Sequence, residues 1–291
     1  MRPGVLRREA RRTGVWVVIW TALAGTAVTV NMAVLPRTGY LPSRAIDLGR
    51  SAAAPSGTQL SQAGHGTWLG LTVTVAGKSS RLQRAWDWDR QEIQRGLLTI
   101  GAPGGPFLFR PVRFHDNDPG RAQAAAPGDA AEMGQAKRDA DSAALATLKI
   151  LSDISPVPSP AGPGPVFRTG NINGGSAGTA MALADLDNRT SGDLTGGRTV
   201  AVTGAVTQDG VVLKIGGVGA KAELAAANGA ALMIVPLGNA DEAAAAIAAL
   251  PGNPDVEVRG VGSVLEAAAV LCQERWHSDD ALCDTIRRYI D

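Results

Sequence analysis

The sequence predicts an α/β fold with a mixed sheet behind one N-terminal transmembrane helix, and three observations carry that expectation. From residue 176 onward, apolar runs with helical and strand spacing alternate regularly, as strands joined by helices do. Gln208-Asp209-Gly210 separates two β-rich runs, 198–207 and 211–215, in the manner of a hairpin turn, so the pairing is not purely parallel. Residues 15–35, VWVVIWTALAGTAVTVNMAVL, carry no charge. At about 1.5 Å per residue they are long enough to cross a hydrocarbon core of about 30 Å.

The chain has 291 residues and a net charge of +1, so composition points to no nucleic-acid partner. The tail 1–14 holds Arg2, Arg7, Arg8, Arg11 and Arg12, and only Arg37, Arg44 and Arg50 follow soon after the apolar run. That bias places the tail in the cytoplasm and the remainder outside the cell membrane. A cleaved signal peptide is the competing reading; the run exceeds the usual apolar core of such peptides and shows no small-x-small cleavage site after it. Residues 36–66, rich in Pro, Ser, Gly and Ala, read as a linker. Residues 67–128 form an N-terminal β-rich part, with strands expected at 68–76 and 107–114 and an amphipathic or irregular segment at Arg84–Arg95. Lys78 in VAGKSS lacks the glycine that a phosphate-binding loop needs at position 72, which is Thr72.

Residues 129–152 have helical spacing, and Pro156, Pro158, Pro160, Pro163 and Pro165 then enforce an extended connection. A helix is expected at about 176–187, followed by the hairpin, a short helix at 219–228, a buried strand at 231–236 and a helix at 240–250. A strand at 256–261, a helix at 263–275 and a C-terminal helix within 276–291 complete the chain.

Two residues in this frame suggest chemistry. Ser176 lies where a glycine-rich turn becomes a helix, and a helix N-terminus favours developing negative charge. Lys221 lies in the first turn of another helix, after Gly216, Gly217 and Gly219. A serine hydroxyl needs a base, and lysine is one when burial strips its charge; arginine, the commoner basic residue here, cannot serve. Lowering a lysine pKa from about 10.4 to the 7–8 of a useful base asks for roughly 3–4 kcal/mol of differential destabilisation of the ammonium. Burial among Gly216, Gly217, Val218 and Ala222 is the expected source. Taken alone, Ser176 reads equally as a helix cap without chemistry.

The segments GGSAG (174–178), GDLTGG (192–197), TGAVTQDGVV (203–212), IGGVGAK (215–221) and VPLGN (235–239) occur in an order and spacing that resemble the proteolytic domain of Lon proteases, closest to membrane-anchored, ATPase-free Lon-like proteases. The resemblance covers about 172–272 and extends back through the helix that begins near Glu132 and Met133, giving a Lon-like proteolytic domain over 129–275. It implies a serine endopeptidase with Ser176 as nucleophile, Lys221 as general base and Thr203 orienting the amine. Backbone N–H groups at or next to Ser176 on its helix N-terminus, with Gly175 and Ala177 as its neighbours, are the candidate oxyanion donors. It implies no cofactor and no metal, polypeptide substrates that are flexible or unfolded and extracytoplasmic, cleavage without ATP, and a hexameric ring. Two positions depart from the family pattern: Gly175 replaces the proline before the serine, loosening the turn and adding an N–H, and Ala205 stands where ATP-dependent members carry glutamate. No peptide-binding PDZ domain is recognisable in 66–128.

Other readings remain at this stage. G-x-S-x-G at 174–178 also fits an α/β-hydrolase esterase, with His277 following in the right order. A Lon-like fold with an impaired site would act as an interaction module. Asp185, Asp187 and Asp193 read as solvated turn residues, Lys214 as a solvent-facing edge residue, and His65 and His115 as surface residues. Cys272 and Cys283 are either two thiols on helix faces or a disulfide clipping a terminal helical hairpin, the latter requiring an oxidising compartment.

Overall fold

The computed structural model describes residues 39–53, 66–76, 115–116, 130–155, 164–168, 174–190, 193–273 and 281–290. Apart from Ala76 they fall in one compact unit, Gly39–Val75 with Phe114–Asp291. The apolar run 15–35, the strand expected at 107–114, the Arg84–Arg95 segment, Lys78, His65 and His277 lie outside the described residues. Among those described, no helix is long and apolar enough to cross a membrane.

In chain order the first elements are β1 (Gly39–Asp47), the one-turn α1 (Leu48–Ser51), β2 (Ala52–Ala53), β3 (Thr67–Ala76) and β4 (His115–Asp116). Next come α2 (Ala130–Ser152), β5 (Val166–Phe167), a 3-10 turn (Gly175–Ala177) that runs into α3 (Gly178–Thr190), β6 (Thr199–Val202), β7 (Ala205–Val206) and β8 (Val212–Leu213). The chain continues through α4 (Val218–Ala227), β9 (Leu232–Pro236), a second 3-10 turn (Leu237–Asn239), α5 (Ala240–Ala248), β10 (Glu257–Val261), α6 (Val264–Leu271) and α7 (Ala281–Ile290).

Six strands make one mixed sheet in the order β10-β9-β6-β3-β1-β4. The pairs β10–β9, β9–β6 and β6–β3 are parallel, whereas β1–β4 is antiparallel. The sheet is therefore mixed, but not because of the hairpin expected from 198–207 and 211–215. Residues 199–202 form a central parallel strand instead, and only Ala205–Val206 pair with Val212–Leu213 in a separate two-stranded ribbon. The break falls at Gly204, whose φ of +153° suits glycine and where a Cβ would lie 2.7 Å from Thr179 Oγ1. The turn itself sits where the sequence puts it: the Gly210 N–H donates to Thr207 O at 3.0 Å, with Gly210 at φ +85°.

Strand residues alternate between two apolar cores, as period-two side chains must. Trp68, Val200, Val202, Leu232 and Ile234 face α2, α3, α6 and α7. Leu69, Leu71, Ala201, Met233 and Val235 face α4 and α5. This gives a three-layer arrangement, with each buried Val, Leu, Ile or Met contributing about 1.5–3 kcal/mol. Parallel neighbours need crossovers, and α4 and α5 supply those from β6 to β9 and from β9 to β10.

Two sequence assignments need correction. Residues 39–53, placed in the linker, contain β1, α1 and β2, and Ala45 and Ile46 pack into opposite cores. Their sequence, GYLPSRAID, has no clear alternation and contains Pro42; pairing with remote strands, rather than local preference, makes the strand. Asp185 and Asp187 are not solvated turn residues but lie buried on α3. Asp185 Oδ1 accepts from Arg189 Nε at 2.7 Å, and Arg189 Nη2 reaches Asp141 Oδ1 on α2 at 2.6 Å. Burial raises the Asp185 pKa to about 6 against the opposing pull of Arg189. Asp187 accepts the Trp68 indole N–H at 2.9 Å and the Leu194 N–H at 2.8 Å. Asp193 does lie in a loop, where its carboxylate accepts the N–H groups of Thr195 and Gly197. Replacing Asp187 with Ala strands two buried donors, so a loss of about 2–4 kcal/mol is expected. Chemical denaturation of the full chain, read at constant slope, checks this.

Cys272 and Cys283 are joined as a disulfide with Cα atoms 5.1 Å apart, fastening α7 to the end of α6. Of the two readings of these cysteines, the structure contains the paired one.

Candidate active site

The site gathers at the end of β6, where three segments meet. Thr203 follows the last residue of β6 and extends its ladder, its N–H donating to Ile234 O at 3.0 Å. The chain then turns at Gly204, whose N–H donates to Ser176 O at 2.8 Å, while Thr179 N–H donates back to Gly204 O at 3.0 Å. The Thr203 hydroxyl also donates to Ser176 O, at 3.1 Å. The Ser176 carbonyl is thus fixed by two donors from one turn. Ser176 itself occupies the 3-10 turn ahead of α3 rather than the first α-helical position, with Gly174 before it at φ +96°.

Lys221 comes from α4 and is 1% exposed, and Val218 and Ala222 of the same helix are buried as well. Gly217, in the left-handed conformation at φ +70°, starts this helix. The Lys221 amine donates to Thr203 Oγ1 at 3.1 Å. Burial pushes its pKa down from 10.5 to about 7, as the sequence argument requires of a base.

The direction of these bonds matters. A carbonyl oxygen only accepts, so the single Thr203 hydroxyl proton points at Ser176 O. Thr203 Oγ1 must then accept from Lys221. A neutral Lys221 amine therefore spends an N–H on Thr203 and keeps its lone pair for another group. The Thr203 hydroxyl thus links the Lys221 amine to the Ser176 backbone carbonyl.

Gly175 and Ala177 flank the serine in the same turn, Ala177 buried and Gly175 half-buried. The Gly175 N–H is not free as an oxyanion donor: it donates to Glu132 Oε1 on α2 at 3.1 Å. Lys214 is exposed, and His115 falls in β4. Among the described residues no cluster of His, Cys, Asp or Glu has the makings of a metal site.

Sequence reasoning missed two residues of this neighbourhood. Asn239, fully buried, accepts the Ile215 N–H at 3.0 Å and donates to Ile215 O at 3.2 Å, pinning the glycine-rich segment that leads to Lys221. It ends VPLGN, so the motif was visible although its purpose was not. Glu132 lies in the Glu-Met pair that extends the family resemblance, but its partner lies 43 positions away, so nothing local showed its purpose.

An α/β domain that turns a serine carbonyl, a threonine hydroxyl and a buried lysine toward one another has the makings of a serine hydrolase. Residues 167–269 match the family model of the Lon protease (S16) C-terminal proteolytic domain. The chain therefore carries a Lon-like serine protease domain, whose substrates are polypeptides. No curated protein matches it.

Proposed function

We propose that the chain is a membrane-anchored, ATP-independent serine endopeptidase in which Lys221 activates Ser176. The observation that carries this reading is the buried Lys221 amine, its pKa lowered to about 7 and bonded to Thr203, which in turn holds Ser176 O. The neutral amine takes the Ser176 hydroxyl proton as Oγ attacks a peptide carbonyl. The tetrahedral intermediate places negative charge on the former carbonyl oxygen, next to backbone N–H groups of the Ser176 turn and the positive end of α3. The Lys221 ammonium then returns the proton to the leaving amine, and the peptide bond breaks to give an acyl-serine. Water, deprotonated by the same amine, releases the acid and restores the hydroxyl. No step consumes a nucleotide, which suits substrates that are already flexible or unfolded.

The apolar run 15–35 and the arginines before it support a single-pass anchor with a cytoplasmic N-terminus and an extracytoplasmic domain. The Cys272–Cys283 disulfide supports the same location, since such bonds persist in oxidising compartments. The hexameric ring is proposed on the family resemblance alone.

The test is cleavage of unfolded casein and fluorogenic peptides by the full-length protein in detergent, with and without ATP. Turnover that ignores ATP and disappears in Ser176→Ala is the expected result. Equal turnover in Ser176→Ala overturns the assignment, and a fold that binds unfolded chains without cutting them would favour the interaction-module reading.

A further inference from the structure

The serine turn is held from two sides. On one side Gly204 N–H and the Thr203 hydroxyl clasp Ser176 O. On the other, the preceding residue donates its N–H to a carboxylate on a different helix, Glu132 Oε1, at 3.1 Å. A hydrogen bond to an ionised acceptor is stronger than one between neutral groups. Removing it would take away the tie on the Gly175 N–H side, leaving the turn held by the clasp on Ser176 O and by the Gly178 and Thr179 N–H groups, which donate to Gly175 O and Gly204 O.

Gly175 makes this contact through its N–H rather than through special conformational freedom. Its φ lies outside the left-handed region, and a Cβ built on it would meet only Glu132 Oε1 at 3.5 Å and Ala205 Cβ at 3.9 Å. Side chains therefore fit at this position. Proline is the residue that would remove the bond, because its ring occupies the place of the N–H and would displace the Glu132 carboxylate. The first residue of a helical turn accepts proline without losing an internal hydrogen bond. A rigid proline and a glycine tied to Glu132 are thus two mutually exclusive ways to fix the same turn.

We propose that Glu132 is a positioning residue for Ser176, acting through the Gly175 N–H and doing in this chain what a fixed φ would do at the same place. The proposal rests on Ser176 being the nucleophile. Glu132 touches no reacting atom; its effect is on the fraction of molecules whose Ser176 hydroxyl stands within reach of Lys221.

The experiment uses the full-length protein and two readouts: peptide turnover, and hydrogen exchange at the Gly175 amide followed by mass spectrometry on overlapping fragments. Glu132→Ala is expected to lower kcat by about fivefold to tenfold, with KM little changed and faster exchange at Gly175. Glu132→Gln, which keeps an acceptor oxygen, is expected to restore most of the kcat. In a Gly175→Pro background the two changes are expected to be non-additive, so that removing the Glu132 carboxylate costs no more than the proline alone. Additive losses, an unchanged Gly175 exchange rate in Glu132→Ala, or no rescue by Glu132→Gln would each overturn the proposal. Exchange that responds to Glu132→Ala in a protein without any Ser176-dependent turnover upholds the contact and overturns the peptidase reading instead.

Discussion

Replacing Lys221 with Met is expected to abolish peptide cleavage while making the protein more stable at neutral pH. The two effects have one cause. Lys221 is among the largest fully buried side chains in the described residues, and burial alone depresses its pKa from 10.5 to about 7. The unfolded chain keeps the ordinary pKa and binds a proton throughout that interval, whereas the folded chain releases it. Folding at pH 7 or below must therefore expel a favourably solvated ammonium, a penalty on the order of 4 kcal/mol. Methionine has nearly the same length and carries no such penalty, although it forfeits the bond to Thr203 Oγ1. A net gain of about 1–3 kcal/mol at pH 7 is expected. The penalty relaxes as pH rises from 7 toward 10.5, so the advantage of Met should shrink over that range. Turnover, by contrast, should fall by at least about a thousandfold, because the hydroxyl loses its base. Urea unfolding at pH 7 and pH 10, beside peptide hydrolysis, measures both. A Lys221→Met protein that is inactive and less stable at pH 7 would mean that the lysine is structural.

The second large effect is on pH dependence. If the neutral amine is the base, kcat/KM follows the fraction of free enzyme with Lys221 uncharged. That fraction rises with pH through about 7, so kcat/KM should level off near pH 8 and fall about tenfold for each pH unit below about 6. An amine with the ordinary pKa would show no plateau below about pH 10. Asp185, with its pKa raised to about 6, titrates nearby in pH but lies in the Arg189–Asp141 network on the α2–α3 side. Its folded-state pKa lies above the unfolded value, so its contribution makes the fold more stable as pH drops from 6 toward 4. Acid loss of activity should therefore precede, and be separable from, acid loss of structure.

Much of the site was legible because its residues are close to motifs with a local physical meaning. A serine in a glycine-rich turn, a lysine after three glycines and a threonine at a strand end all carry their signal within a few positions. Long periodic elements were legible too: the helix expected at 129–152 is Ala130–Ser152, and the buried strand expected at 231–236 is Leu232–Pro236. What was hidden depends on partners remote in sequence. Residues 39–47 look like a linker until β3 is beside them. Thr199–Val202 looks like one arm of a hairpin because β-propensity cannot tell a parallel partner from an antiparallel one, and Gly204 was not recognised as the break. Asp185 and Asp187 look solvated because acidic residues usually are, and only Arg189, Trp68 and Leu194 explain their burial. Glu132 and Asn239 hold the two halves of the site by bonding backbone far along the chain, an arrangement with no sequence period.

Everything functional here turns on whether the Ser176 hydroxyl is activated by an uncharged Lys221. The most direct measurement is the rate at which a peptidyl phosphonate modifies the full-length protein between pH 5 and 10, with the modified residue located by mass spectrometry. Modification at Ser176, half-maximal near pH 7 and lost in Lys221→Met, is the expected result. Modification at another residue, or a Ser176 rate that keeps climbing toward pH 10 and is indifferent to Lys221→Met, would contradict it.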